Sequence, residues 1–222
     1  MTLTKRISAR RGTLATLLAG LTMLFPAWGI AQGQAKEHAR TTCSAADYRN
    51  DPRLGPEHLP DAGPLATVLK GWHRLDEMTP HAYLHAYYDA AAKTWRYPPL
   101  GGYLLTPDGM AISNQVTLAP GEVIDRFGSE YGGYLSPVGT PYADRGIPPQ
   151  SLDNTTTPET CNYSRYKVLQ PIPVQSGPIA PALGQPGFGL QYVLDATIFP
   201  GNPAGLNVMY LVANGYLARV TG

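Results

Sequence analysis

Cysteine is almost missing from this chain, and charge is thin. Only Cys43 and Cys161 are present, and charged residues make up 15% of the sequence. Two cysteines without a close histidine partner lack the spacing of a zinc site, so no metal is expected. No histidine follows His85, and no aspartate or glutamate follows Asp195. There is no Gly-Lys-Ser/Thr phosphate loop and no dinucleotide fingerprint opening a helix, so the common nucleotide-binding motifs are excluded. No internal repeat and no low-complexity block appear, although the 24 glycines and 22 prolines exceed ordinary usage.

Long apolar runs are missing as well, except at the start. "MTLTKRISARRGTLATLLAGLTMLFPAWGIAQGQ" has Lys5, Arg6, Arg10 and Arg11, then an apolar stretch from Leu14 to about Ile30, then small residues at Gly29 and Ala31. This is the pattern of a secretory signal peptide over residues 1–31, cut after Ala31. A membrane anchor is the alternative, but Pro26 and Gly29 break the stretch and it is short for a span. Removing it leaves 13 Lys and Arg against 16 Asp and Glu, a net charge of −3. A nucleic-acid binder needs a basic surface, so that class is excluded. The expectation is a secreted or cell-surface protein with no membrane attachment after cleavage. Outside the cytosol a cysteine pair is most simply a disulfide, here Cys43–Cys161.

The mature chain reads as α+β: a compact domain of mainly short antiparallel strands with a few small helices. Residues 32–100 read as an N-terminal arm and helical segment, and 101–222 as the main domain. "TPHAYLHAYYDAAAKTW" is a helix signal, with Thr79 as N-cap and Pro80 at the first helical position. "YPPLGGYLLTPDGMAI" suggests a hairpin turning at Pro107-Asp108-Gly109. Strands are expected from Glu122 to Arg126, in "YSRYKVLQPIPVQSG" and in "LQYVLDA"; "LNVMYLVANGYLARV" reads as a short helix closed by Asn214-Gly215, then a last strand.

Two glycine-rich stretches hold the candidate chemistry. "DRFGSEYGGYLSPVGTPYADRGIPP" places Arg126 and Arg145 among Gly128, Gly132, Gly133, Gly139 and Gly146, with tyrosines between. Glycine lets backbone N–H groups approach phosphate oxygens, arginine adds a bidentate charged fork, and tyrosine can stack on a base. The competing reading is a run of tight turns whose arginines sit in ion pairs with Asp125, Glu130 or Asp144. In "GPIAPALGQPGFGLQYV", Gly187 and Gly189 flank Phe188, and Gln191 comes as a strand begins. A glutamine there can hold an amide, a ribose hydroxyl or a water, or can simply face solvent.

"DPRLGP", the two stretches above, "YSRYKV" and "NGYLARV" occur in this order, and together they resemble the secreted fungal NAD glycohydrolases of the tuberculosis-necrotizing-toxin domain family. That family is related to bacterial exported toxins. The resemblance covers most of the chain after Cys43. It implies cleavage of NAD or NADP into nicotinamide and ADP-ribose or its 2'-phosphate, with no further cofactor. It also implies catalytic roles for Gln191 and Arg126, and substrate contacts by Arg126, Tyr134, Arg145, Ser164 and Phe188. Ser164 stands where relatives often have a histidine, and Ala182-Leu183 where they tend to have Trp-Phe. Relatives include homodimers and proteins with a C-terminal calcium site. The homodimer is carried over as a candidate, but no carboxylate lies beyond Asp195 to hold calcium.

Nicotinamide leaves a positively charged ring as a neutral molecule, so little acid assistance is needed. The work is to clamp the pyrophosphate, orient the ribose and place a water. Two other readings stay open: an ADP-ribosyltransferase, which would need a glutamate near the ribose, and a catalytically impaired nucleotide-binding protein. Asn154 and Asn162 head N-x-Ser/Thr sequons and are candidate glycosylation sites on a loop.

Overall fold

Buried and partly exposed side chains alternate from Ile172 to Ser176, as in a sheet covered mainly on one face. The computed structural model describes residues 39–153 and 161–220. The signal segment expected over 1–31 and Asn154 lie outside them. Among the described residues three short α-helices are formed, α1 (Gly63–Leu69), α2 (Pro80–Tyr87) and α3 (Val208–Ala213). The strands are β1 (Tyr88–Asp89), β2 (Thr94–Trp95), β3 (Asn114–Leu118), β4 (Val123–Phe127), β5 (Tyr134–Pro137), β6 (Tyr163–Val168), β7 (Ile172–Pro178), β8 (Leu190–Val193) and β9 (Leu217–Arg219). β1 and β2 form a small hairpin; the rest make one seven-stranded sheet in the order β3-β7-β8-β5-β4-β6-β9, with antiparallel neighbours throughout. The expected α+β class is therefore observed.

The main core forms where the inward faces of this sheet meet α3. Ile124, Leu135, Tyr166, Val168, Ile172, Val174, Val208 and Leu211 are all buried there. Full burial of an aliphatic side chain of this size stabilises by roughly 1.5–3 kcal/mol. Two further clusters join α1, α2 and β2 to the rest. Leu65, Val68 and Leu69 of α1 pack with Phe127, Tyr142 and Tyr163, and Tyr83 and Trp95 pack with Leu183. Tyr83 also donates its hydroxyl to the Leu183 carbonyl at 3.0 Å, and Trp95 its Nε1–H to Gln150 Oε1 at 2.8 Å. The Cys43–Cys161 disulfide is formed, with Cα atoms 5.5 Å apart across 118 residues. A closed loop of that order stabilises by up to about 4–5 kcal/mol on the chain-entropy model.

Several local expectations change in the folded chain. Thr79 Oγ1 accepts from the Ala82 N–H at 3.2 Å and starts α2 as anticipated, but the helix stops at Tyr87. Asp89 accepts from the Ala91 and Ala92 amides and turns the chain, so Trp95 pairs with Tyr88 as a strand. The turn after Leu105 closes through a single Leu105–Ala111 bridge rather than a full hairpin. β3 and β5, which no strong alternation announced, complete the sheet. Asn162 is only 5% exposed, at the entrance to β6 beside the disulfide. The loop position expected for a glycan at Asn162 is thereby corrected, because a sugar needs a solvent-facing amide.

Candidate active site

β5 lies between β8 and β4 in the middle of the sheet, and this order decides which side chains meet. A cleft of about 560 Å³ opens there, lined among others by Arg126, Tyr134, Ser136, Arg145 and Gln191. Its size falls within the usual range for small-molecule sites. The glycine-rich segment from Asp125 to Pro149 is partly interior: Leu135, Tyr142 and both arginines are buried.

Arg126 leaves β4 with its fork already oriented. Its Nε donates to the Ser129 carbonyl at 2.7 Å and its Nη1 to the Tyr134 carbonyl at 2.9 Å. Among the described residues Nη2 has no acceptor. Gly132 makes this placement possible, because a Cβ there would stand 2.0 Å from Nη2. Burial pulls the Arg126 pKa down, while the nearby Tyr166 and Glu130 push it up. The guanidinium stays charged in either case. A cation already stripped of water gains more from an incoming anion than a solvated one.

Glu130 does not close the Arg126 fork. Its oxygens accept from Arg219 Nε at 2.7 Å, from Arg219 Nη2, and from the Tyr166 hydroxyl at 3.1 Å. The hydrogen bond from Arg219 is the largest cause holding the Glu130 carboxyl below its ordinary pKa, against burial and aided by Tyr166. A carboxylate depressed in the folded state stabilises fully above its unfolded pKa and loses that contribution as pH falls through the folded value. The melting-temperature gap between wild type and Glu130→Gln should therefore be open near pH 6 and close below about pH 4. Thermal melts across this range check it; a gap independent of pH would show that the pair contributes no charge-linked stability.

Arg145 lines the same cleft but is committed elsewhere. Nη2 donates to Asp125 Oδ2 at 2.9 Å and to the Thr140 carbonyl at 2.7 Å, and Nε donates to that carbonyl at 3.0 Å. Nη1 stands 2.7 Å from Asp125 Oδ1. Asp125 is fully buried, and its Oδ2 also accepts from the Tyr163 hydroxyl at 2.7 Å and the Gly139 N–H at 3.0 Å. The charge of Arg145 is thus neutralised by Asp125, and its Nε and Nη2 are engaged within the protein.

Gln191 is the second residue of β8, opposite Gly177 of β7, and is 6% exposed. Its Nε2 donates to the Gly101 carbonyl at 3.0 Å. The carbonyl can only accept, so the amide must turn its NH₂ toward Gly101, and Oε1 is left without a protein donor among the described residues.

The chain is 36% identical over 186 residues to the conidial surface nicotinamide adenine dinucleotide glycohydrolase nadA of Aspergillus fumigatus, covering 80% of this chain and 75% of that protein. The family model described as tuberculosis necrotizing toxin matches residues 117–220. The chain belongs to the tuberculosis necrotizing toxin family. A solved structure of tuberculosis necrotizing toxin, complexed with its immunity factor, shares the fold with a TM-score of 0.51 at 18% identity, covering 82% of this chain and 99% of that one.

The residues singled out by the resemblance to this toxin family divide in the structure. Arg126, Tyr134, Arg145 and Gln191 share the cleft. Ser164 and Phe188 are not among the residues that line it. Ser164 stands on β6 directly across from Arg126 in the strand register. Phe188 is 62% exposed, and its N–H donates to the Ile179 carbonyl at 2.8 Å. Ala182 lines the cleft, while Leu183 is buried in the core against Tyr83. One wall went unread in the sequence: Tyr97, Pro98, Gly101 and Gly102 line the cleft from outside the family-matched region. Its only signal was a Pro-Pro and Gly-Gly block beside a tyrosine, the same composition that marked the other two stretches.

Proposed function

We propose that this protein is an NAD glycohydrolase whose reaction takes place between Arg126 and Gln191. The observation that carries the reading is a buried arginine whose Nη2, and a buried glutamine whose Oε1, have no protein partner among the described residues, both in one cleft of a chain of this family. Arg126 receives the pyrophosphate, and the half-exposed Tyr134 offers a face for a flat ring. The bond between the nicotinamide nitrogen and the ribose anomeric carbon breaks, and its electron pair goes to the ring nitrogen, cancelling the positive charge. The oxygen of a water bonds to that carbon and releases one proton to solvent. The products are nicotinamide and ADP-ribose, or its 2'-phosphate when NADP is taken. Oε1 of Gln191 accepts a hydrogen bond from the water or a ribose hydroxyl; an amide does not take the proton away.

Export through the N-terminal signal, action at the cell surface and assembly as a homodimer belong to the same reading. The export and the surface location are supported by the basic and apolar start of the sequence and by the surface location in the name of the fungal relative.

The test is chromatographic. Purified oxidised protein incubated with NAD should release nicotinamide and ADP-ribose in equal amounts. Arg126→Ala should raise KM by roughly ten- to a hundredfold, since a hydrogen bond to a charged group contributes about 1.5–3 kcal/mol. Arg126→Lys should recover only part of this, because an ammonium lacks the planar fork. Label transferred from NAD to protein, in place of free ADP-ribose, would identify a transferase; binding without nicotinamide release would identify a nucleotide-binding protein.

A further inference from the structure

We infer that Gly101 is a positioning residue for Gln191, and that the turn carrying it, which precedes the region matched by the family model, completes the reaction centre. The inference rests on the NAD-cleaving reading above. A glutamine amide can present either end to a ligand, and the two ends do opposite things. Oε1 toward the ribose accepts from a water or hydroxyl, whereas NH₂ toward it places donors beside a developing cation. The Gly101 carbonyl decides between them, because only the NH₂ end can meet it at 3.0 Å.

The carbonyl is fixed by the backbone around it. Gly102 accepts at its carbonyl from the Ala180 N–H at 2.9 Å, and the Leu104 N–H donates to the Pro178 carbonyl at 2.8 Å. The 3₁₀ turn that carries Gly101 is thus laced to β7 and the residues after it, and β7 pairs with Gln191 itself through Gly177. The turn is also strained. Leu100, Gly101 and Gly102 all have left-handed backbone, with φ of 51°, 73° and 78°. Leu100 is a branched side chain in that region and is 56% exposed, so no burial of its side chain accounts for the conformation. What the conformation achieves is a carbonyl aimed at β8 from a segment 90 residues away.

Gly101 has space for a methyl group: a Cβ would lie 3.6 Å from the Tyr103 ring and 3.8 Å from the Tyr134 hydroxyl. Alanine there acts through backbone conformation, not collision. Leaving the left-handed region swings the carbonyl off the Gln191 amide and frees it to rotate.

A double-mutant cycle on the full chain, with kcat and KM for nicotinamide release, tests this. Gly101→Ala should lower kcat by about tenfold and leave KM within about twofold, the signature of misplacement rather than lost binding. Gly101→Asn, which tolerates left-handed backbone, should retain more of kcat than alanine does. In a Gln191→Ala background the change at Gly101 should make less than about a twofold difference, because the residue it positions is gone. Effects that multiply independently, or a rise in KM with kcat intact, would make Gly101 only a wall of the cleft and overturn the proposal. If the alanine variant does not fold, the cycle is run with Gly101→Asn and the same criterion applies. Wild-type protein that releases no nicotinamide overturns the functional reading along with this one; active wild type with additive variants overturns this one alone.

Discussion

Arg145→Ala is expected to lower the unfolding free energy by about 3–5 kcal/mol, the usual cost of breaking a buried ion pair from one side. Asp125 is fully buried, and alanine at 145 would leave its charge with only the Tyr163 hydroxyl and the Gly139 N–H as donors. The Thr140 carbonyl would lose its two guanidinium partners, and Phe127 the cation held 5.0 Å from its ring centre. Urea denaturation, followed by fluorescence at fixed temperature, reads the shift in midpoint at unchanged slope. Replacing both members by hydrophobic residues, Arg145→Met with Asp125→Leu, should restore much of the loss, since no unpaired charge then stays inside. The result separates two roles for an arginine at a cleft. A phosphate clamp would leave stability near wild type and raise KM. A strut lowers stability and leaves KM of the folded fraction nearly unchanged. The geometry favours the strut, and an Arg145→Ala protein of wild-type stability would reverse that assignment.

Gln191→Ala should have the largest effect on turnover. Loss of one preorganised hydrogen bond aimed at a reacting group raises the barrier by about 2.7–4 kcal/mol, a factor of roughly a hundred to a thousand in kcat. The only protein hydrogen bond its side chain makes among the described residues is the one to Gly101. The strand register of β8 is made by backbone groups, so the fold should survive. KM for NAD should move little, because Arg126 carries the charge recognition. Gln191→Glu is a sharper variant. It keeps the shape, but its carboxylate has no hydrogen to offer the Gly101 carbonyl, and two acceptors then face each other. Turnover should fall here too, which would not happen if a negative charge near the ribosyl cation were what the position supplies. Steady-state kinetics with NAD and NADP on both variants decide this; a wild-type rate for Gln191→Ala would place the reaction elsewhere.

The sequence by itself determined what depends on neighbours along the chain. Thr79 and Pro80 start α2, Asn214 and Gly215 follow the end of α3, and the alternation in "IPVQ" writes β7. The ordered motifs were enough to locate Arg126, Tyr134 and Gln191, and two cysteines left one possible pairing. The tertiary structure decided everything that depends on which strands become neighbours. Arg145 and Asp125 are 20 residues apart, and Glu130 and Arg219 are 89 apart. A list of charges does not say which carboxylate occupies which fork, because burial and reach set the partner. The same holds for exposure. Phe188 and Gln191 lie three positions apart in a glycine-rich run, yet one ring faces solvent and the other side chain is buried against Gly101. That difference follows from β8 lying between β7 and β5, with the turn at Gly101 anchored beyond β7. Contacts spanning 90 residues form only after the sheet order is set, and that order is a property of the whole chain rather than of any segment.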